Sequence, residues 1–303
     1  MKEILKVRNL SKKFNGHLVV NSLNMTVYEG DIFGFLGPNG AGKTTTIRMI
    51  LSLIKCNSGE VYINGVSIKE NYKEAIAQIS AMVESPRFYE NLTAYENLKI
   101  IKNFHKNVEE ERISEVIVRV GLKDHIDRKF KEFSLGMKQK LGLAAALLTK
   151  PKLIILDEPT NGLDPQGIIE FRELINDLSK NEKITFFISS HLLSEVELMC
   201  NRVAIISKGR VVIQGAVEEL LTSKKDIYEF RVNDKEGAKE LIDNIEEVKF
   251  NGFSEKGIAI ELNNKEPWVI NKILVEGNIK VNGINRINKS LEEYFVETIE
   301  GGK

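Results

Sequence analysis

Residues 31–54 read DIFGFLGPNGAGKTTTIRMILSLI, and three kinds of local chemistry follow one another in that stretch. IFGFL is an apolar run of strand length, and IRMILSLI has the apolar weight of a helix that packs on a sheet. Between them Gly37, Pro38, Asn39, Gly40, Ala41, Gly42, Lys43 and Thr44 match GxxxxGK(S/T). Glycines let backbone N–H groups converge on one concavity, and the helix N-terminus behind them adds positive potential, so such a loop suits phosphate groups. Lys43 is expected to reach the β- and γ-phosphates of a nucleotide, Thr44 to offer its hydroxyl to Mg²⁺, and Thr45 to stand beside them. Agreement at all eight loop positions, with a strand before and a helix after, separates this motif from a chance glycine turn.

Further along, Leu153-Ile154-Ile155-Leu156-Asp157-Glu158 is an apolar strand ending in two carboxylates. At the C-terminal edge of a parallel sheet, beside the phosphate loop, Asp157 is placed to support Mg²⁺. Glu158 is placed to orient and polarise a water for in-line attack on the γ-phosphate, whereas its bland reading is a helix-capping acid. His191 follows the buried run ITFFISS, and a lone histidine there is ordinarily structural. FSLGMKQK, taken alone, is a helix start capped by Ser134 with an apolar face in LGLAAALL.

The ordered set resembles the ATP-binding-cassette family of transporter ATPases over about residues 1–221. Residues 133–139, FSLGMKQ, are similar to its signature motif, usually LSGGQ; Leu135 and Met137 depart from it while Ser134 and Gly136 are retained. The resemblance implies that Ser134 and the Gly136 N–H bind the γ-phosphate of ATP held by a partner cassette. It also implies that Asp164, in PTNGLDP, links the two sites across the dimer and that His191 meets the γ-phosphate as the switch histidine. Phe14, in LSKKF, lies where the family carries an aromatic ring for adenine; stacking there would contribute about 1 to 3 kcal/mol, against ordinary packing. Where the family carries a Mg²⁺-sensing glutamine, AMVESPRFYENL places Glu84, since Gln78 falls too early, inside the helical stretch KEAIAQIS. A carboxylate there binds Mg²⁺ harder than an amide but adds negative charge beside the phosphate, and its bland reading is an exposed loop acid.

The fold implied is α/β: a three-layer P-loop cassette on a mostly parallel sheet, with LKVRNL, DIFGFLG, KLIILDE, ITFFISS and VAIISKG among its strands and a helical subdomain carrying the signature. Residues 222–303 read strand, helix, strand, strand, helix, strand and a final helix SLEEYFVETI, the order of a split βαβ-like α+β unit. Trp268, in KEPWVINKI, is expected to fill that unit's small core.

At 303 residues the chain has room for two such domains. Matched at 43 acidic and 43 basic side chains, it has no net field to gather nucleic acid or anionic lipid. No apolar run approaches the ~20 residues of a membrane span, and MKEILKVRNL lacks a secretory signal, so a cytoplasmic location is expected. Cys56 and Cys200 lack metal or disulfide spacing, and His17, His105 and His125 have no ligand partners in sequence.

With one glycine loop, one signature and no span, the resemblance implies an ATPase that binds ATP and Mg²⁺. It would pair with a second cassette, as homodimer or heterodimer, and drive a separately encoded permease at the cytoplasmic face of the membrane. Residues 84–91, with Pro86, Arg87, Phe88 and Tyr89 as contacts, are expected to receive that permease. The loop VESPRFYENLTAYENL narrows the resemblance to bacterial exporters that protect against lantibiotics or bacitracin. A soluble cassette acting on ribosomes or DNA, or one whose permease senses a peptide without moving it, are the alternatives; the first would favour tandem cassettes or a basic arm, and neither is present.

Overall fold

The structure, a computed structural model, describes residues 1–221, 226–243, 245–263, 265–287 and 291–292. It divides into two units, Met1–Val217 and Glu218–Lys303.

In the first unit, β1 (Glu3–Phe14) and β2 (His17–Tyr28) form a hairpin. It turns on Asn15 and Gly16, both at positive φ (47° and 83°), the conformation that lets a two-residue turn follow the strand twist. β3 (Ile32–Leu36) leads into the glycine loop and α1 (Lys43–Ile50) leaves it. β4 (Ser58–Ile63) and β5 (Val66–Ser67) return to β1, giving an antiparallel sheet of order β2-β1-β4-β5. LKVRNL therefore belongs to this separate sheet and not, as expected, to the parallel one. Burial alternates from Leu5 to Arg8, which suits an antiparallel strand with one solvated face.

After α2 (Tyr72–Ile76) comes β6 (Ile79–Met82), then a helical layer of α3 (Ala94–Asn103), α4 (Glu111–Arg119) and α5 (Leu135–Leu147). Thr93 and Glu96 close a reciprocal capping box at the start of α3. The chain continues through β7 (Leu153–Asp157), α6 (Pro165–Glu182), β8 (Thr185–Ser190), α7 (Leu193–Met199), β9 (Arg202–Ser207), β10 (Arg210–Ala216) and α8 (Val217–Leu221). The second sheet runs β10-β9-β3-β8-β7-β6, parallel throughout except for the edge strand β10. Every residue of β3, β7 and β8 is buried, as strands covered on both faces require.

Phe33 and Phe187 stack between neighbouring strands with ring centroids 5.7 Å apart. At Gly34, between the two phenylalanines of β3, an added Cβ would lie 2.3 Å from Val196 Cγ1, so α7 rides directly on the strand that feeds the glycine loop. No helix of the described residues is long and apolar enough to cross a membrane.

The second unit follows the expected order: β11 (Asp226–Val232), α9 (Lys235–Ile242), β12 (Val248–Phe253), β13 (Gly257–Leu262), α10 (Pro267–Glu276) and β14 (Val281–Arg286). Its antiparallel sheet, β12-β13-β11-β14, places β13 between the two strands joined by α9, the split βαβ arrangement. Phe230, Ile242, Ile258, Ile260, Ile270 and Leu274 fill the core. Trp268 does not join them and is 65% exposed. Ile270 and Leu274, four residues apart, define the buried side of α10, and a residue two positions before Ile270 points to the other side. Apart from 291–292, the final helix expected over SLEEYFVETI lies outside the described residues.

Candidate active site

The glycine loop joins a fully buried strand to a helix whose first residue is Lys43. Gly40 and Gly42 hold φ of 81° and 106°, and at Gly42 a Cβ would also press on Val19 O at 3.0 Å, so both turns need glycine. Lys43 is only 6% exposed, and a buried ammonium requires partners. Its Nζ donates to Gly37 O at 2.7 Å and lies 3.2 Å from Glu158 Oε1. The other oxygen of Glu158 meets His191 Nδ1 at 2.6 Å. Lysine, glutamate and histidine thus form one continuous chain across a cleft of about 450 Å³, lined also by Asn39, Thr44, Thr45 and Asn161.

Asp157 ends β7 and is 5% exposed. Its Oδ1 accepts a hydrogen bond from the Ser189 hydroxyl at 2.5 Å, in the register that sets Asp157 opposite Ser189. Glu158, one residue on, has φ 50°, and its N–H donates to Ser189 Oγ at 3.0 Å. It caps no described helix. The capping acid nearby is Asp164, whose Oδ1 accepts from the Gly167 N–H at 2.9 Å with Pro165 at the first helical position of α6.

The chain therefore gathers the glycine loop, Asp157, Glu158 and His191 at the C-terminal ends of parallel strands. Asp157 itself is not in the lining of the cleft, and Phe14, Ser134 and Glu84 lie outside it, whereas Thr44 and Thr45 line it. Phe14 ends β1 with its ring 44% exposed and Lys12 Nζ 4.9 Å from the ring centre. Ser134 caps α5 through the Met137 N–H at 3.3 Å, with Leu135 and Gly136 opening the helix. Glu84 is ion-paired with Arg48 of α1 and lines a different, larger cavity of about 1,310 Å³ beside α3, α4 and α5. Lysine, glutamate and histidine side chains line that cavity too, but no such bonded chain joins them among the described residues, so its size does not make it the reaction site. Gln78 lies beyond α2, not within it, and its Oε1 accepts from Asn64 Nδ2 at 2.8 Å. Burial pushes the Cys200 thiol far up, and Cys200 behaves as a small apolar side chain.

Ser189 and Asn161 were not singled out in the sequence. Asn161 stood in plain view in the PTNGLDP run, but Ser189 becomes visible only through the pairing of β7 with β8.

A glycine cradle opening a helix, with two carboxylates at the end of a parallel strand, defines a P-loop nucleoside triphosphatase. Comparison with known proteins then narrows the class. The profile of the ABC transporter family matches residues 20–161. Over 307 aligned residues the chain is 44% identical to the bacitracin transport ATP-binding protein BcrA of Bacillus licheniformis, covering 100% of this chain and 99% of that protein. It is 40% identical over 211 residues to the lantibiotic transport ATP-binding protein SrtF of Streptococcus pyogenes, covering 70% of this chain and 90% of that protein. The solved structure of an ATP-binding cassette of an ABC transporter in its ADP conformation superposes with a TM-score of 0.66 at 27% identity, over 74% of this chain and 96% of that one. The chain belongs to the ABC transporter family, as an ATP-binding subunit that hydrolyses ATP.

Proposed function

We propose that this chain is the ATPase of a bacterial exporter that removes antimicrobial peptides of the bacitracin or lantibiotic type. It would act as one of two cassettes, held by a separate permease at the cytoplasmic face of the membrane. The observation that carries the reading is the likeness to the bacitracin transport protein along the whole chain, second unit included, where the lantibiotic relative aligns with only 70% of it.

In the nucleotide pocket, the glycine-loop N–H groups and Lys43 would bind the phosphates, with the Phe14 ring offered to the base. A Mg²⁺ fits the residues present: Asp157 is a nearly buried carboxylate whose hydrogen-bond partner is a neutral hydroxyl, and Thr44 lines the cleft together with Glu158, the residue that follows Asp157. One carboxylate and one hydroxyl are the sparse, hard-oxygen donor set that Mg²⁺ takes alongside phosphate and water. When bound, the ion neutralises charge on the terminal phosphates. Glu158 orients the attacking water and accepts its proton, and His191 fixes the Glu158 carboxylate and faces the γ-phosphate. Glu84 would approach the metal only after leaving Arg48.

The second cassette would complete the site through Ser134, Leu135, Gly136 and Met137, with Asp164 linking the two pockets. Gly136 supports this reading. Beyond its chain neighbours and the backbone of its own helix, nothing among the described residues lies closer than 3.9 Å to a Cβ placed there, so the fold does not need a glycine at that point of α5. Glycine costs a helix about 1 kcal/mol relative to alanine, and close approach by an outside backbone or phosphate explains its presence. Gly136→Ala is accordingly expected to hold or raise the melting temperature while depressing ATPase activity. A variant with normal turnover would remove Gly136 from the site.

The large cavity by Glu84, Pro86, Arg87 and Phe88 is the surface offered to the permease. Expression of the chain with its cognate permease in a sensitive host tests the cargo. Resistance to bacitracin or a lantibiotic, abolished by Lys43→Ala, is the expected result; unchanged sensitivity to both classes would refute it.

A further inference from the structure

Between the two carboxylates and the sheet stands one hydroxyl with two bonds to make. Ser189 is fully buried on β8, flanked by β3 on one side and β7 on the other. Its Oγ donates to Asp157 Oδ1 and accepts from the Glu158 N–H, so a single atom contacts both consecutive acids. The second contact falls where the backbone is strained. Glu158 adopts φ 50°, a left-handed conformation that costs a side-chain-bearing residue roughly 1 to 2 kcal/mol and persists only when its surroundings hold it. The Ser189 carbonyl also accepts from that N–H at 3.2 Å, so the hydroxyl adds direction to a turn the sheet already supports.

We propose that Ser189 is a positioning residue for the hydrolytic pair: its hydroxyl fixes the Asp157 carboxylate for the metal and steadies the left-handed turn that presents Glu158. This rests on the reading of Asp157 as a metal ligand. Donation to Oδ1 restricts rotation of that carboxylate and leaves its other oxygen to face a cation, which is how a hydrogen-bonded outer partner tunes a ligand. Because Ser189 is fully buried between β3 and β7 and is not among the residues that line the cleft, it acts through its two neighbours.

The test uses the full chain with Mn²⁺ in place of Mg²⁺, following Mn²⁺ uptake in the presence of ATP by electron paramagnetic resonance. ATP affinity without metal is measured separately in EDTA with a fluorescent ATP analogue. Removing an outer-shell partner weakens metal binding by about 10-fold or more. Ser189→Ala is expected to show that loss, with metal-free ATP affinity unchanged and turnover reduced, and Ser189→Thr to restore the metal affinity. Asp157→Asn is the reference. If it loses Mn²⁺ and Ser189→Ala does not, the role given to Ser189 is overturned alone. If neither loses it, the metal-site reading falls as well. A Ser189→Ala chain that binds metal-free ATP and Mn²⁺ worse by the same factor would show a generally loosened pocket, and would also overturn the proposal.

Discussion

Glu158→Gln is expected to cut ATP turnover by about 10²-fold or more while ATP binding holds or tightens. The amide keeps the size of the carboxylate and can still contact His191 and Lys43, but it cannot take a proton from water. Binding should not suffer, because the Glu158 carboxylate sits 3.2 Å from Lys43 Nζ, where it would compete with phosphate for the same ammonium. Stalled after binding, two cassettes should accumulate as a closed pair. Single-turnover hydrolysis together with size-exclusion chromatography in ATP checks all three points. Near-normal turnover would mean that another group activates the water.

Lys43→Ala is expected to act at the earlier step. Hydrogen bonds to charged groups contribute about 1.5 to 3 kcal/mol, so losing this contact should weaken ATP binding by roughly 10- to 100-fold. The change also strips Glu158 Oε1 of its cationic neighbour, leaving the carboxylate held through Oε2 by His191. Titration with a fluorescent ATP analogue measures the affinity, and equal binding by the variant would contradict the phosphate role. The two substitutions therefore separate on different axes, one on turnover and the other on affinity.

How much of this was legible in advance depended on whether the information was local. The phosphate loop is a contiguous motif whose glycines answer to backbone geometry, and Gly40 and Gly42 stand in the positive-φ turns that such a loop needs. The paired carboxylates could be placed because a buried apolar strand that ends in two acids carries them to the edge of the sheet, where Glu158 reaches the cleft. His191 was readable only from its position in an ordered series of motifs. What escaped was set by distant partners. Ser189 depends on the register between β7 and β8, which no property of ISS reveals. The destination of LKVRNL depended on the hairpin partner that claims β1, and the Glu84–Arg48 pair on how α1 lies against the loop after β6. For Trp268, aromatic character points to the core, while its angular position on α10, two residues from the nearest core residue, turns it away.

The ammonium-to-carboxylate contact inside the cleft also bears on how a cycle ends. If Lys43 holds the γ-phosphate as proposed, the departing inorganic phosphate would leave behind a cation that a tethered acid stands ready to reclaim. Expulsion of the product is therefore an exchange of one anion for another, with no bare charge left in a low-dielectric recess. A resident competitor of this kind would limit how tightly spent nucleotide can linger, and so would favour a quick reset of the motor over stubborn retention.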